Sequence, residues 1–577
     1  MMTDFHFSPR PNRAAEIAWQ PWDAQTFARA QREDKPILLS ISAVWCHWCH
    51  VMDETTYSDE AVIETINSRY VPVRVDNDER PDVNARYNMG GWPTTAFLTP
   101  DGTLLTGATY LPPQDMQRAL GQIAVFYEER KGDIAEKERE VRSAQRTYDV
   151  AQPQALSQEP VDDFALSLRA TYDEEFGGFG DAPKFPQPEL YEFLLAYWRL
   201  TGNAWFYEIV AHSMRAMAHG GMYDAVEGGF FRYSTTRDWS IPHFEKMADD
   251  HAGLLRVIAQ LELWAPSELA RKDLERTIAY VRTVLRDPKS GLFAGSQDAD
   301  EEYYALPLQE REKRTAPFVD RRSYSNWTAA LAGAFAWCGL ALDDRTLIGD
   351  SLQTLDSLHD RLRDDDGLLY HVVAPDESPR IRGLLGDQVA YVRALLDAYE
   401  ISGEPRMLER ARTHVDLVIG AFSAPGGGFY DRAGRDTLGR LEIVDRPITD
   451  NGLMAENLLR LSNLLHEARY REIAERTLAL YAKTFARAGS FAAAYARALL
   501  RYVAQPVTVR VTGPLAPGYE LRRAARQLPS PFVAVTSESG GATAAAYVCV
   551  GTTCAAPVIR PDELDRAYAG LNSAWKR

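Results

Sequence analysis

The chain has 577 residues, a formal charge of −17 at pH 7 and 45% hydrophobic residues, too long for one core and ordinary enough in composition to predict about three globular domains. The acidic balance leaves no basic face to neutralise phosphates, which excludes a nucleic-acid binder. Five cysteines exclude a disulfide scaffold. Met1 to Arg10 lacks the apolar core of a signal peptide and no run reaches the length of a membrane span, so a soluble, cytoplasmic protein with no membrane partner is expected.

In chain order, the first informative stretch is an apolar strand, Pro36 to Ile41, that runs into Cys46-His47-Trp48-Cys49-His50. Gly90-Gly91-Trp92-Pro93-Thr94 follows, with Pro93 standing 47 residues after Cys46. This is the layout of a thioredoxin-like redox site. Cys46 is expected at a helix N-terminus, where the dipole favours the thiolate, and Cys49 is placed to resolve a mixed disulfide. Trp92 and a cis Pro93 are expected to shape the substrate groove. Three other readings fit a Cys-x-x-Cys: c-type haem attachment, which the string Cys46-His47-Trp48-Cys49-His50 matches literally, a zinc half-site, and a structural pair. Haem is disfavoured by the missing export signal, and zinc by the absence of a further Cys or His before His212. No metal and no cofactor are predicted. Thioredoxins usually bury an Asp six residues before the first cysteine; here that place is Ser40, and Glu54 is the substitute base considered. A helix over Glu60 to Arg69 and strands over Tyr70 to Asp76 and Ala96 to Thr99 complete a mixed α/β domain, residues 1–130. A charged helical linker is assigned to 131–159.

From 160 to 503 the pattern becomes helical. Twelve predicted helices alternate short turns such as Thr201-Gly202-Asn203 with long loops. Each long loop carries a Gly-aromatic signature: Gly177-Gly178-Phe179, Gly228-Gly229-Phe230, Gly291-Leu292-Phe293, Gly367 to Tyr370 and Gly427-Gly428-Phe429-Tyr430. A recurrence of this kind marks repeated supersecondary units. Six hairpins closing on themselves make an (α/α)6 toroid with every long loop on one rim; an open α-solenoid is the alternative. Residues 504–577 read as a small α/β lobe with strands at Val507–Val511, Pro531–Val535 and Ala545–Val550, too small to stand alone. The predicted fold class is therefore multidomain: a thioredoxin-like α/β domain, an all-α six-hairpin toroid and a C-terminal α/β lobe.

Chemistry-bearing residues of the helical region fall in its long loops. Asp224, Arg232 and Tyr233 precede Pro242-His243-Phe244-Glu245-Lys246-Met247, a string read as opening a helix, with His243 and Lys246 about one turn apart. An acid, a base and an imidazole there suit general acid–base work; a helix cap with a Glu245–Lys246 salt bridge is the bland alternative. Asp298 and Asp300 suit a cation, a glycosidase carboxylate pair or solvent exposure. Cys549 and Cys554 are close enough to form a disulfide or to exchange with Cys46, or they are inert thiols. Cys338 is assigned to the core.

Together these strings resemble the spermatogenesis-associated protein 20 family. The resemblance is carried by Lys35 to Ser40, Cys46 to Met52, Val75-Asp76 through Asp82, Gly90 to Pro93, Gly177 to Gly180 with Ala182 to Pro186, Pro242 to Met247, and Asp298 to Asp300. It implies a thioredoxin-like domain followed by a toroid similar to N-acylglucosamine 2-epimerases and glycosidases of that shape. Two departures touch the barrel loops: Ala248-Asp249-Asp250 replaces the family's Tyr-Asp-Asn, and Glu301-Glu302-Tyr303-Tyr304 replaces a Gly-rich insert. The favoured function is thiol–disulfide oxidoreduction on a thiol- or disulfide-bearing protein or small molecule. The alternatives are a carbohydrate epimerase, isomerase or glycosidase acting on a sugar in the barrel, and a non-catalytic barrel that binds partners for the dithiol domain.

Overall fold

In the computed structural model, residues 5–145, 155–434, 436–538, 540 and 542–575 are described. They form two compact units, the first made of residues 1–150 and 434–444, the second of 151–433 and 445–577.

The first unit is built on a four-stranded sheet. Helix α1 (Ala24–Glu33) leads into β1 (Ile37–Ser42); α2 (His47–Glu54) and α3 (Glu60–Arg69) precede β2 (Val71–Asp76); α4 (Pro81–Tyr87) precedes β3 (Thr94–Leu98) and β4 (Leu104–Ala108). The spatial order is β2-β1-β3-β4, with β1 parallel to β2 and antiparallel to β3. Every β1 side chain is buried, because one apolar cluster covers each sheet face: Ile37, Leu39 and Ile41 on one, Leu38 with Met52, Tyr57 and Phe97 on the other. This is the reason the strand reads as a continuous apolar run rather than an alternation. Helix α1 has a plain start signal, Asp23, whose carboxylate accepts the Thr26 N–H.

The boundary expected at residue 130 falls inside an element. A single helix, α5 (Pro113–Gln145), runs across it, so 1–130 and 131–159 are not separate pieces; Arg146 and the rest of the expected linker up to residue 154 lie outside the described residues. Gly434–Val444, which lies in the sequence between two barrel helices, is part of the first unit. Its Arg440 N–H donates to the Tyr87 hydroxyl at 2.7 Å, and Leu441 joins the cluster of Trp22 and Phe27. A Cβ on Gly102 (φ +90°) would lie 2.4 Å from the Gly439 Cα, so only glycine allows that approach.

The second unit begins with α6 (Glu159–Ser167). Five helical hairpins follow: α7 (Pro188–Thr201) with α8 (Ala204–His219), α9 (Ala248–Trp264) with α10 (Glu268–Tyr280), α13 (Ser325–Leu342) with α14 (Arg345–Arg361), α15 (Leu385–Ser402) with α16 (Pro405–Phe422), and α17 (Ile448–Leu465) with α18 (Ala468–Ala479). Two short helices, α11 (Glu301–Tyr304) and α12 (Leu308–Arg311), occupy the loop before α13. Helix α19 (Ala493–Val503) packs against α6 and completes the sixth pair. The inner helices touch in sequence (α7, α9, α13, α15, α17, α19) and α19 returns to α7. That closure rules out the open solenoid. The inner helices are buried on both sides, and α13 is apolar nearly all round, burying Leu331, Phe335, Trp337, Cys338 and Leu340.

The Gly-aromatic repeats close the outer helices. Tyr172 bridges to Phe179, Tyr223 to Phe230, Arg286 to Phe293, Arg363 to Leu369 and Ser423 to Phe429. In three repeats the fourth residue of the next inner helix accepts the bridging N–H: His251 Nε2 from Phe230, Gln388 Oε1 from Leu369 and Asn451 Oδ1 from Phe429, at 2.7–2.9 Å. The lobe has a sheet ordered Val533–Glu538, Val507–Thr512, Ala545–Val550, Thr553–Cys554, with α20 (Leu515–Gln527) and α21 (Leu564–Trp575). It belongs to the barrel unit: the Arg522 guanidinium donates to the Ile401 carbonyl and Trp264 Nε1 to the Arg526 carbonyl. Among the described residues no helix is long and apolar enough to cross a membrane.

Candidate functional sites

At the dithiol, Cys46 caps α2 as expected. Its Sγ accepts the Cys49 N–H at 3.2 Å, and the two cysteines are joined in a disulfide. A capping sulfur at a helix N-terminus faces unsatisfied amides, which favour negative charge. In the bonded state both cysteines are buried, Cys46 at 4% exposure and Cys49 at 2%. The Trp92–Pro93 peptide is cis. Trp92 packs edge-on against Trp45, whose Nε1–H donates to Asp78 Oδ2 at 2.7 Å. Trp48, between the cysteines, is half exposed beside Tyr110.

Glu54 does not fit the substitute-base role: its carboxylate accepts the Ser8 hydroxyl at 2.6 Å. The neighbouring carboxylate, Asp53, is buried in a two-bonded ion pair with Arg74. The titratable group the sequence reading passed over is His50, next to Cys49. Burial, with His6 and Arg74 nearby, pushes it down to about 4, so it is neutral, and its Nε2 has no hydrogen-bond partner. Its signal was the second His of the Cys-x-x-Cys-His string.

In the barrel, the Pro242-to-Met247 string is extended, correcting the helical expectation. Pro242–His243 pairs antiparallel with Tyr233–Ser234, Lys246–Met247 pairs with Ser296–Gln297, and α9 starts only at Ala248. Extension separates side chains that a helical turn would have joined. The His243 Nδ1–H donates to both Glu245 oxygens at 2.7 Å, with His243 20% exposed and Glu245 1%. Burial lowers the His243 pKa, but Glu245 more than offsets it and the net shift is upward. The imidazole stacks on Tyr233, which stacks on the half-exposed Phe185. Arg232 donates its backbone N–H to the Glu245 carbonyl at 2.9 Å. Lys246 faces Gln297 in the ladder, so continuing that antiparallel register puts Glu245 opposite Asp298. Burial, with Glu245 and Asp300 adding repulsion, raises Asp298 to about 7.

The other candidates have structural places. Lys246 is fully buried, donating to Asp224 Oδ2 at 2.8 Å and to the Gly228 carbonyl at 2.9 Å, while Arg311 holds the same carboxylate oxygen at 2.7 Å. Burial lowers Lys246 to about 8 against the pull of Asp224. Lys184 does the same one repeat earlier, donating to Asp173 and the Gly177 carbonyl. The pairing is thus a device of the repeat, and Asp224 and Lys246 are not cleft residues. Nor does Glu245 pair with Lys246. Asp300 caps α11 by accepting the Tyr303 N–H, and the replacement residues Tyr303 and Tyr304 pack with Phe231 and Phe244.

Four acids that the sequence reading missed stand in the first turn of inner helices: Glu189, Asp249, Asp250 and Asp450. All have raised pKa values, with burial as the main cause, Asp450 reaching about 7. Glu189 and Asp249 are nevertheless water-accessible. Asp387, likewise in a first turn, holds the His371 Nδ1–H at 2.9 Å. The available signal was an acid within the first three residues of α7, α9, α15 and α17. Among the described residues no cluster with metal-binding geometry occurs.

Residues 10–146 match the family described as a protein of unknown function, DUF255, Thioredox_DsbH. Spermatogenesis-associated protein 20 of Rattus norvegicus is 36% identical over 315 residues, 49% of this chain and 39% of the relative. The resemblance to the spermatogenesis-associated protein 20 family holds. The chain spans about two fifths of the length of the relatives in that family. Over 72 residues, 12% of each chain, it is 35% identical to thiol:disulfide interchange protein DsbD of Campylobacter jejuni (strain RM1221). The cellobiose 2-epimerase structure from Spirochaeta thermophila DSM 6192 aligns with 60% of this chain and 96% of its own at 16% identity and a TM-score of 0.49. The six-hairpin assignment itself rests on the closed helix ring.

Proposed function

We propose that the chain is a thiol–disulfide oxidoreductase in which Cys46 is the nucleophile and Cys49 the resolving cysteine, acting on disulfide- or thiol-bearing proteins or small molecules. The observation that carries this is Cys46 capping α2 in a disulfide with Cys49. In the reduced state the Cys46 thiolate attacks a substrate disulfide and expels one thiolate. Cys49 then attacks Cys46, releasing the second substrate thiolate and restoring the bridge. Insulin reduction tests the reading: the wild-type protein should accelerate precipitation over dithiothreitol alone, and Cys46→Ser should abolish the gain. Equal rates with and without the protein would overturn it. In the reduced protein, iodoacetamide at mildly acidic pH should label Cys46 before Cys49.

A second reading, a carbohydrate epimerase, isomerase or glycosidase, is favoured by the His243–Glu245 pair beside Asp298. His243, fixed at Nδ1, presents Nε2 for proton transfer, and a carboxyl poised at about 7 exchanges protons near neutrality. The stacked Tyr233 and Phe185 supply aromatic faces for a sugar ring. A sugar-isomerisation and glycoside-hydrolysis screen with His243→Gln as control tests it. Sugar binding without turnover would leave the binding-module reading instead.

A further inference from the structure

We infer that His50 is the proton partner of the dithiol: when the disulfide is open, its Nε2 holds a proton beside the Cys46 thiolate and gives it to the thiolate expelled from a substrate disulfide. The inference rests on reading Cys46 and Cys49 as an oxidoreductase pair.

The geometry comes from the first turn of α2. His50 follows Cys49 directly, and its backbone N–H donates to the Cys46 carbonyl at 3.1 Å. Helical side chains lean toward the helix N-terminus, so a residue covers the one four places before it. The His50 ring is thereby directed toward Cys46, and the Val44 carbonyl, two residues before that cysteine, acts on it. Its Nε2 is buried and has no hydrogen-bond partner. An apolar side chain would fill the same space without leaving a polar atom unsatisfied, so packing is a poor account of an imidazole there.

The groups around the ring oppose its protonation. His6 stands 6.0 Å away, centroid to centroid, and His6, Arg74 and His47 all disfavour a proton on it. The acids of the same helix are engaged elsewhere: both Asp53 oxygens accept from Arg74, and Glu54 accepts the Ser8 hydroxyl. With the sulfurs bonded to each other, burial and these neighbours hold His50 down to about 4. A thiolate supplies the missing negative charge. An opposite charge within about 4–6 Å moves a pKa by about 1–3 pH units, which would bring the ring to roughly 5–7 and hold Cys46 ionised in return.

A dithiol donor opens the bridge and becomes a disulfide. Two electrons and two protons enter; the Cys46–Cys49 bond breaks, one proton goes to Cys49 and the other to His50, and Cys46 is left as the thiolate. That thiolate attacks one sulfur of a substrate disulfide. The Cys46–substrate bond forms, the substrate S–S bond breaks, and the leaving sulfur takes the His50 proton and departs as a thiol. Cys49 then loses its proton to water and attacks Cys46 Sγ; the bridge re-forms and the second substrate sulfur leaves as a thiolate.

Two measurements on the full-length chain test this. In wild-type protein carrying isotope-labelled histidine, with the His50 signal identified by its loss in His50→Gln, NMR should find the ring titrating about one pH unit or more higher after reduction by dithiothreitol than before it. Equal midpoints in the two states would overturn the inference, whatever the variant does. The pH profile of Cys46 alkylation by iodoacetamide, read by peptide mapping of the reduced protein, should move upward by about one pH unit or more in His50→Gln, with the plateau rate at high pH kept. An unmoved midpoint would overturn the inference as well. Neither readout involves a substrate disulfide, so insulin reduction separates the two readings. If it is retained without these shifts, the role of His50 alone falls. If it is absent although the shifts are seen, the oxidoreductase reading falls and the pairing of His50 with Cys46 stands.

Discussion

The inner helices of the barrel carry two sets of carboxylates that behave in opposite ways. In the first turns, Glu189, Asp249, Asp250 and Asp450 have raised pKa values because burial outweighs the nearby cations, Arg393 for Glu189 and Arg232 for Asp249 and Asp250. Further along the inner helices, Glu192, Asp397, Glu400 and Glu456 are more deeply buried and yet held low. Guanidinium groups make the difference. Glu192 accepts from Arg256, Arg393 and Arg497; Asp397 bridges Arg256 and Arg460; Glu400 takes Arg460 and Arg526; Glu456 takes Arg497 and Arg501. Burial also lowers Arg393 and Arg501 to about 10, so the arginines too are short of full compensation. Burial alone does not assign a role. An unmatched carboxyl that reaches water is available for proton exchange, whereas a matched one ties helices together.

Breaking the matched set should have the largest effect. Asp397→Ala leaves Arg256 and Arg460 without their shared partner and should cost about 3–5 kcal/mol in chemical denaturation. Asp250→Asn, in the unmatched set, should stay within about 1 kcal/mol or stabilise. Equal losses would erase the distinction.

The pH dependence sharpens it. Asp298 is raised in the folded chain to about 7, against roughly 4 when unfolded. Between those values the native state holds a proton that the unfolded state has released, so this group's contribution to stability falls as pH rises. Asp298→Asn should therefore be more stable than wild type by on the order of 2 kcal/mol near pH 8, with the difference fading toward about pH 4. A constant difference across that range would contradict the raised pKa.

A smaller effect is expected at the one imidazole with a carboxylate partner in this loop site. Glu245→Gln removes the group that raises His243 and leaves burial to lower it, so the ring should titrate at lower pH by NMR. The stability from this pair is present below the unfolded His value of about 6.5 and is lost as pH rises through the folded one. The variant should lose stability mainly on the acidic side. An unmoved His243 titration would show that the two bonds at 2.7 Å do not govern it.

Much of the architecture was legible because it is local. The strand into Cys46, the helix it opens, the hairpins with their Gly-aromatic turns and the strand at Ala545 to Val550 are each written within a few residues, at a period of 2 or 3.6. The Cys46–Cys49 pair was legible for the same reason, its spacing being set along one helix turn. Misreadings came where local pattern and partner disagree. Pro242 to Met247 resembles a helix start, yet its ladder partners, Tyr233 and Gln297, lie elsewhere in the chain and hold it extended. Lys246 reads as a catalytic neighbour of His243, until Asp224 and the Gly228 carbonyl claim it from behind. By itself the sequence determined most strands and helices, where the dithiol stands and that six hairpins recur, because backbone geometry and amphipathic period act over short distances. Only the tertiary structure decided which buried charges are matched: Glu192 meets Arg497 across 305 residues, and an electrostatic partner at that separation leaves no mark in the pattern around either residue.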